Sequence, residues 1–297
     1  MIGGLENQII PTQKTIAIVG PGNVGRVMAL ALHHAGFRVT EIITRDEPAS
    51  LRKARALAKR VGASASNIAN SQLDANVIWL CVPDAAIGMV AGELAKRQVG
   101  WKGKVALHAS GALASSELMP LKEAGAAVGS LHPMNTFVAT TKPNLKGTPF
   151  GIEGDAAAVS TGRAIARKIS DGGEVFTIKP EAKVLYHAIG AFASPLLISM
   201  LNVAERIAAE AGIKSPHALM RKILFQTIEN FLRDGSDAAF SGPIRRGDVA
   251  TVRKHIAALK KVPSASEIYA ALARNALDNL PVRNAKELRR AIKKAQG

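Results

Sequence analysis

The chain has 297 residues, 47% of them hydrophobic, a formal net charge of +16 at pH 7 and one cysteine. That length allows one large domain or two of ordinary size, with enough apolar material for a sizeable core. A single cysteine excludes a disulfide framework, and 4% aromatic content with no nucleic-acid-binding motif argues against a nucleic-acid partner.

The basic residues are spread along the chain and not gathered in one arm, so their field attracts small anions generally. A phosphorylated cofactor and an anionic small-molecule substrate account for that charge. Residues 1–13 read as a flexible tail without the basic start and apolar stretch of a signal peptide. No run of about 18 apolar residues stands out, so no membrane span is expected. Cys81 lies in an apolar run and is expected to be buried, which fits a reducing cytoplasm.

The first element is the most informative. Thr15-Ile-Ala-Ile-Val-Gly-Pro-Gly-Asn-Val-Gly25 reads as a buried strand over 16–19, a glycine-rich turn and a helix running to Gly36. Gly20, Gly22 and Gly25 fit G-x-G-x-x-G. The first glycine permits the tight turn, the second lets the backbone approach a pyrophosphate, and the third lets the helix pack on the strand. With Pro21, Asn23 and Val24 they form the expected cofactor loop, its phosphates resting on free N–H groups at the helix N-terminus.

A second strand is expected over 39–44, then a helix over 48–61 and a short strand near 63–65. Thr44 and Arg45 end the second strand. Arg45 stands 20 residues past Gly25, where a carboxylate would bind the ribose of NAD. A guanidinium and a hydroxyl there favour NADP over NAD, although Asp46 is one residue away. The run 77–82 reads as a fully buried parallel strand. It is followed by Val82, Pro83 and Asp84. Val82 and Pro83 are expected beside the cofactor, and Asp84 is a candidate helix cap.

Further strands are expected over 105–108, 127–131, 149–152 and 175–178. Two of them end in similar segments, His108-Ala-Ser110-Gly and Leu-His132-Pro-Met-Asn135. Each brings a histidine to a strand's carboxyl end, where ligands bind in open α/β sheets. His108 and His132 are therefore candidate catalytic residues, with Ser110 and Asn135 as hydrogen-bonding neighbours. Their spacing matches no zinc pattern, and no metal is expected.

From 181 the pattern is helical throughout. A long apolar helix is expected over 181–211, kinked or split by Pro195, followed by helices over 215–233, 248–261, 266–280 and 284–294. Lys183 and His187 are four residues apart, so they share one helix face and could hold and protonate a carbonyl oxygen. Ser194 lies about two turns on. Gly242-Pro-Ile-Arg-Arg246-Gly-Asp248 reads as a loop whose arginines, Arg246 above all, suit a carboxylate or phosphate. Asp248 is a candidate cap. The expected domains are a dinucleotide-binding domain over 14–180 and a helical domain over 181–297. The expected fold class is α/β, a doubly wound parallel Rossmann sheet followed by an all-helical C-terminal domain.

These segments, together with Tyr186-His187 and Phe192-Ala-Ser194, give the chain a resemblance spanning nearly its whole length. It resembles uncharacterised Rossmann-like NADP oxidoreductases that carry a C-terminal helical domain of unknown function. They are relatives of pyrroline-5-carboxylate reductase, ketopantoate reductase and 3-hydroxyacid dehydrogenases. The resemblance implies a helical domain used for homodimer formation and an active site between the two domains. In the related 3-hydroxyacid dehydrogenases a lysine and an asparagine four residues on do the acid–base work. Lys183 matches that lysine, His187 stands in the asparagine's place, and Pro195 replaces an asparagine common after Phe-Ala-Ser.

The expected activity is transfer of a hydride to or from a C=O or C=N bond of a small acid. The alternatives are a non-catalytic NADP-binding sensor and a deazaflavin-dependent reductase.

Overall fold

The computed structural model describes residues 14–294 except 141 and 143. The tail expected over 1–13 lies outside the described residues. By packing, the chain divides into two compact units between Ala191 and Phe192.

The first unit is built on an eight-stranded sheet of order β3-β2-β1-β4-β5-β6-β7-β8. Its strands are β1 (Thr15–Val19), β2 (Arg38–Thr44), β3 (Ser64–Asn67), β4 (Val77–Leu80), β5 (Val105–His108), β6 (Ala127–Pro133), β7 (Phe150–Gly154) and β8 (Val175–Thr177). The helices are α1 (Asn23–His34), α2 (Pro48–Val61), α3 (Ile87–Ala95), α4 (Met119–Glu123), α5 (Ala156–Ser170) and α6 (Lys183–Ala193). The second unit holds α7 (Pro195–Glu210), α8 (Pro216–Ala239), α9 (Pro243–Arg246), α10 (Val249–Leu259), α11 (Ala265–Asn279) and α12 (Ala285–Lys294).

The central strands are buried on both faces, so they read as continuous apolar runs. One side of the sheet packs Ile16, Ile18, Trp79 and Leu107 under α1, α2 and α5. The other packs Ala17, Val19, Ile78 and Leu80 under α3 and α4. In α2 the buried residues Ala54, Leu57, Ala58 and Val61 recur at helical spacing, and Gly62 stops the helix at a φ of 67°.

The sheet corrects the expectation of parallel strands throughout. Six strands, β1 to β6, run parallel in Rossmann order, but β7 pairs antiparallel with β6. The link between them, residues 134–149, forms no helix among its described residues, and a parallel return needs a crossover of a dozen or more residues, usually helical.

The long apolar helix is split as its proline predicts. Ser194 leaves helical geometry at φ −131° and ψ −81°, and Pro195 opens α7. By length and composition the stretch Pro180–Glu210 nevertheless suits a membrane span, which the sequence reading did not anticipate. In α8 the helical geometry breaks at Gly235, two residues past the expected end. Asp248 caps α10 by accepting a hydrogen bond from the Thr251 amide at 3.0 Å. Val252, Ile256, Ala273, Leu277, Leu288 and Ile292 join α10, α11 and α12 in the second unit's core. The basic side chains of α12 from Lys286 to Lys293 face solvent, as a solvated helix face should.

Candidate active site

The strands β1, β2, β4, β5 and β6 are parallel, so their carboxyl ends share one edge of the sheet. Two groups of site residues form on that edge.

The first is the glycine turn. Gly20 has φ +98°, and a Cβ there would stand 2.7 Å from the Cys81 carbonyl and 3.0 Å from Val82. A Cβ on Gly25 would stand 1.9 Å from the Gly20 carbonyl, so α1 can approach the turn only at glycine. A Cβ on Gly22 would meet nothing within 4 Å. Gly22 caps α1 without a side chain, and no acidic residue stands in the first turn. The turn therefore leaves a backbone cradle and helix N–H groups that fit the pyrophosphate of a dinucleotide.

Among the other expected cofactor residues, Pro21 and Val24 are half-buried in or beside the turn. The Asn23 side chain donates to the Phe137 carbonyl at 3.1 Å, tying α1 to the segment after β6. Thr44 is buried at the end of β2. Arg45 is exposed and pairs with Glu47 at 2.9 Å and Ser50 at 3.2 Å. Pro83 is exposed beside half-buried Val82.

The second group gathers around the turn after β5. Lys183 is only 2% exposed, and its ammonium donates to the Ser110 carbonyl at 2.9 Å and to the Ser130 hydroxyl. Ser130 in turn donates to the same carbonyl at 3.1 Å. Burial pulls the Lys183 pKa down from 10.5 to about 8, opposed by the charges of Glu153 and Asp84.

Asp84 does not cap the following helical turn. It accepts from the Ser110 hydroxyl at 2.8 Å, while that hydroxyl accepts from the amides of Ala112 and Leu113. Ser110, expected at the cofactor, thus spends its side chain holding its own turn. Glu153 is buried on β7 and accepts from the Ser115 amide and hydroxyl at 2.7 and 2.8 Å.

The two candidate histidines differ. His108 is fully buried, and both ring nitrogens are engaged: Nε2 with the Ala114 carbonyl at 3.0 Å, Nδ1 with the Ser110 amide at 3.2 Å. No ring nitrogen remains for a substrate, which corrects its expected place in the pocket. His132 is half-buried, and its Nδ1 meets the Tyr186 hydroxyl at 3.1 Å. Burial, then the Lys183 charge, hold His132 near a pKa of about 3 and His108 near about 4, so both are neutral. Exposed His187 stands edge-on to His132, ring centroids 5.8 Å apart. Both rings close on Gly111, where a Cβ would sit 2.5 Å from His187 Cδ2 and 2.8 Å from His132 Nε2.

Lys183 and His187 therefore do share one face of α6, turned toward residues 110 and 111. Asn135 is exposed and bonds Thr148 and the Thr136 amide. Ser194 and Arg246 belong to the second unit, Ser194 as the residue before α7 and Arg246 as the exposed end of α9. No group of three or more metal-ligating side chains occurs among the described residues.

Ser130, Tyr186 and Glu153 were missed by sequence reasoning. Ser130 had a signal, since it lies two residues before His132 on the same strand face. Tyr186 is one turn from Lys183, and Glu153 is a carboxylate in a strand otherwise buried and uncharged.

A Rossmann-like domain model matches residues 3–133, and a domain of unknown function, DUF2520, matches residues 148–276. The chain is a Rossmann-like domain followed by a DUF2520 domain. The DUF2520 match begins in the sheet, taking in β7, α5 and β8 as well as most of the helices beyond. No curated protein matches the chain.

Similar solved structures include a candidate NADP oxidoreductase of Bacteroides fragilis, at 22% identity and a TM-score of 0.73 over 89% of this chain and 97% of that one. Protein TM1727 of Thermotoga maritima is 25% identical, with a TM-score of 0.69 over 95% and 100% of the two chains. An imine reductase of Myxococcus stipitatus in complex with NADP+ is 14% identical, with a TM-score of 0.65 over 89% and 94%. The fold is thus one that NAD(P)-dependent reductases share.

The two glycines test the cradle. Gly25→Ala forces its Cβ onto the Gly20 carbonyl and should cost about 1–3 kcal/mol, lowering the melting temperature by several degrees. Gly22→Ala, whose Cβ enters open space, should leave the melting temperature within about one degree. Equal effects in thermal unfolding would contradict the packing described.

Proposed function

We propose that the protein is an oxidoreductase, preferring NADP, that moves a hydride to or from a C=O or C=N bond of a small acidic metabolite. One observation carries this reading: the glycine cradle and the Lys183–His132–His187 group gather at the carboxyl ends of the parallel strands β1, β4, β5 and β6. When bound, the cofactor supplies or accepts the hydride. Gly20, Gly22, Gly25 and the first amides of α1 would hold its pyrophosphate.

Arg45 and Ser50 would hold a ribose 2′-phosphate. The competing Glu47 pair is solvent-exposed on both sides, so exchanging it for a phosphate costs little. His187 and His132 would face the reacting oxygen or nitrogen. Lys183 acts from one layer behind: one ammonium hydrogen holds the Ser110 carbonyl and another the Ser130 hydroxyl, and its charge favours negative charge developing on the substrate. Arg246 would anchor an anionic group, a reading that rests on its chemistry and exposure alone.

We also propose a homodimer formed through the C-terminal helices. No residue of α8 is buried, yet it exposes Leu219, Ile223, Phe225, Phe231 and Leu232. Beside it, a groove of about 770 Å³ between α7 and α8 is lined by Ile198, Leu201, Leu224, Phe225 and Ile228. Patches of this extent need cover. A second copy suits them better than lipid, because the Pro180–Glu210 stretch carries buried Lys183 and ends in Glu205, Arg206 and Glu210.

Titration followed by nicotinamide fluorescence should give tighter binding of NADPH than NADH by about tenfold or more, and Arg45→Ala should narrow that gap. Equal affinities would remove the NADP preference, and binding of neither would remove the enzyme reading.

Lys183 passes from ammonium to amine near pH 8, so kcat/KM should fall as pH rises through that value. Lys183→Met should lose about 10²–10³-fold in turnover, and the alkaline fall with it. A fall that persists in the variant would assign it to another group.

Light scattering should give twice the chain mass, reduced to the monomer in the double variant Phe225→Glu, Leu232→Glu. A monomeric wild-type chain would sink the dimer.

A further inference from the structure

Tyr186 is a polar group at the site with no role in the reading above. It is half-buried on α6 and stands edge-on to His132, ring centroids 5.6 Å apart at 88°. Its hydroxyl lies 3.1 Å from His132 Nδ1. Across the sheet it rests on Gly151, the residue paired with His132 in the β6–β7 ladder. A Cβ on Gly151 would stand 2.6 Å from both Tyr186 Cζ and its oxygen, so only glycine admits the ring.

A hydrogen bond between a phenol and a neutral imidazole can run either way, and its direction decides which ring nitrogen carries the proton. Two features set the direction. The phenol is the stronger acid and the better donor, and burial raises its pKa to about 12, so the O–H stays protonated. A buried O–H without an acceptor is costly, and His132 Nδ1 is the side-chain partner within its reach.

We infer that Tyr186 is a positioning residue: its hydroxyl donates to His132 Nδ1 and fixes the imidazole proton on Nε2, on the side turned to Gly111 and His187. The inference rests on the oxidoreductase reading for its catalytic meaning. His132 then serves as a neutral hydrogen-bond donor, presented next to the exposed His187 ring. Without the Tyr186 hydroxyl the same ring would divide between two tautomers, one of which offers a lone pair where the substrate needs a donor. His108 shows the contrast within the same fold, since its two nitrogens are both bound inside the protein.

The test is nitrogen NMR of the full chain labelled at histidine, with His132 assigned by His132→Asn. The wild type should show Nε2 protonated and Nδ1 bare. Tyr186→Phe should show a mixture of the two tautomers, a change that loss of packing alone would not produce. Gly151→Ala, which displaces the ring but keeps the hydroxyl, should give the same mixture.

A wild-type spectrum with Nδ1 protonated overturns the inference, even if neither variant folds. An unchanged Nε2–H in Tyr186→Phe does so too. Kinetics are read with whichever 2-oxo acid or cyclic imine best supports NADPH oxidation. There Tyr186→Phe should lower kcat about tenfold and leave KM within about twofold. An unchanged kcat overturns the positioning role. Failure of the wild type to bind NADPH overturns the underlying reading, while the spectrum still decides the Tyr186 bond.

Discussion

The buried ammonium of Lys183 is the interaction on which the site depends. One cation, desolvated at the start of α6, is bonded to the carbonyl that ends the β5 segment and to a hydroxyl on β6. It therefore joins two strands and a helix far apart in sequence. A buried charge is tolerated only when paired and hydrogen-bonded, and Asp84 and Glu153 supply the opposing field from either side. Each carboxylate is itself held, Asp84 by Ser110 and Glu153 by Ser115. The turn over residues 108–115 is consequently fixed at several points, and the two histidine rings that close on Gly111 inherit that rigidity.

The same cation adds to the effect of burial on its neighbours' protonation. With burial it keeps His108 and His132 neutral across the physiological range. A site with one buried positive charge and neutral imidazoles is suited to stabilising an oxygen that gains negative charge. The carboxylates whose charge acts on Lys183, Glu153 and Asp84, are spent on structure. The division of labour follows from depth: the deepest groups hold, and the shallower His132 and His187 are those the proposed function turns toward a ligand.

The second unit poses the opposite problem. Its small core uses α10 to α12, whereas α8 buries nothing. The alternating polar residues of α8 keep it from reading as a membrane helix, yet its apolar side chains stand in the open. The homodimer proposed above would cover that face.

Much of this was legible in the chain. The glycine turn announces itself because G-x-G-x-x-G, a β-branched run before it and a helical pattern after it are local features set by backbone sterics and periodicity. The split at Pro195, the Asp248 cap and the solvated face of α12 are local as well. The direction of β7 was not, since an apolar run looks alike whichever way it pairs. Nor was the fate of the polar residues: His108 and His132 stand at equivalent strand ends, and only the neighbours brought by folding separate them. Ala114 and the Ser110 amide consume both nitrogens of His108, while Tyr186, some fifty residues away in sequence, takes one nitrogen of His132. The sequence by itself determined the dinucleotide cradle and the order of strands and helices, because these follow from spacing. Tertiary structure alone decided which side chains are spent on the fold and which are left for chemistry, because hydrogen bonds between distant residues have no period to read.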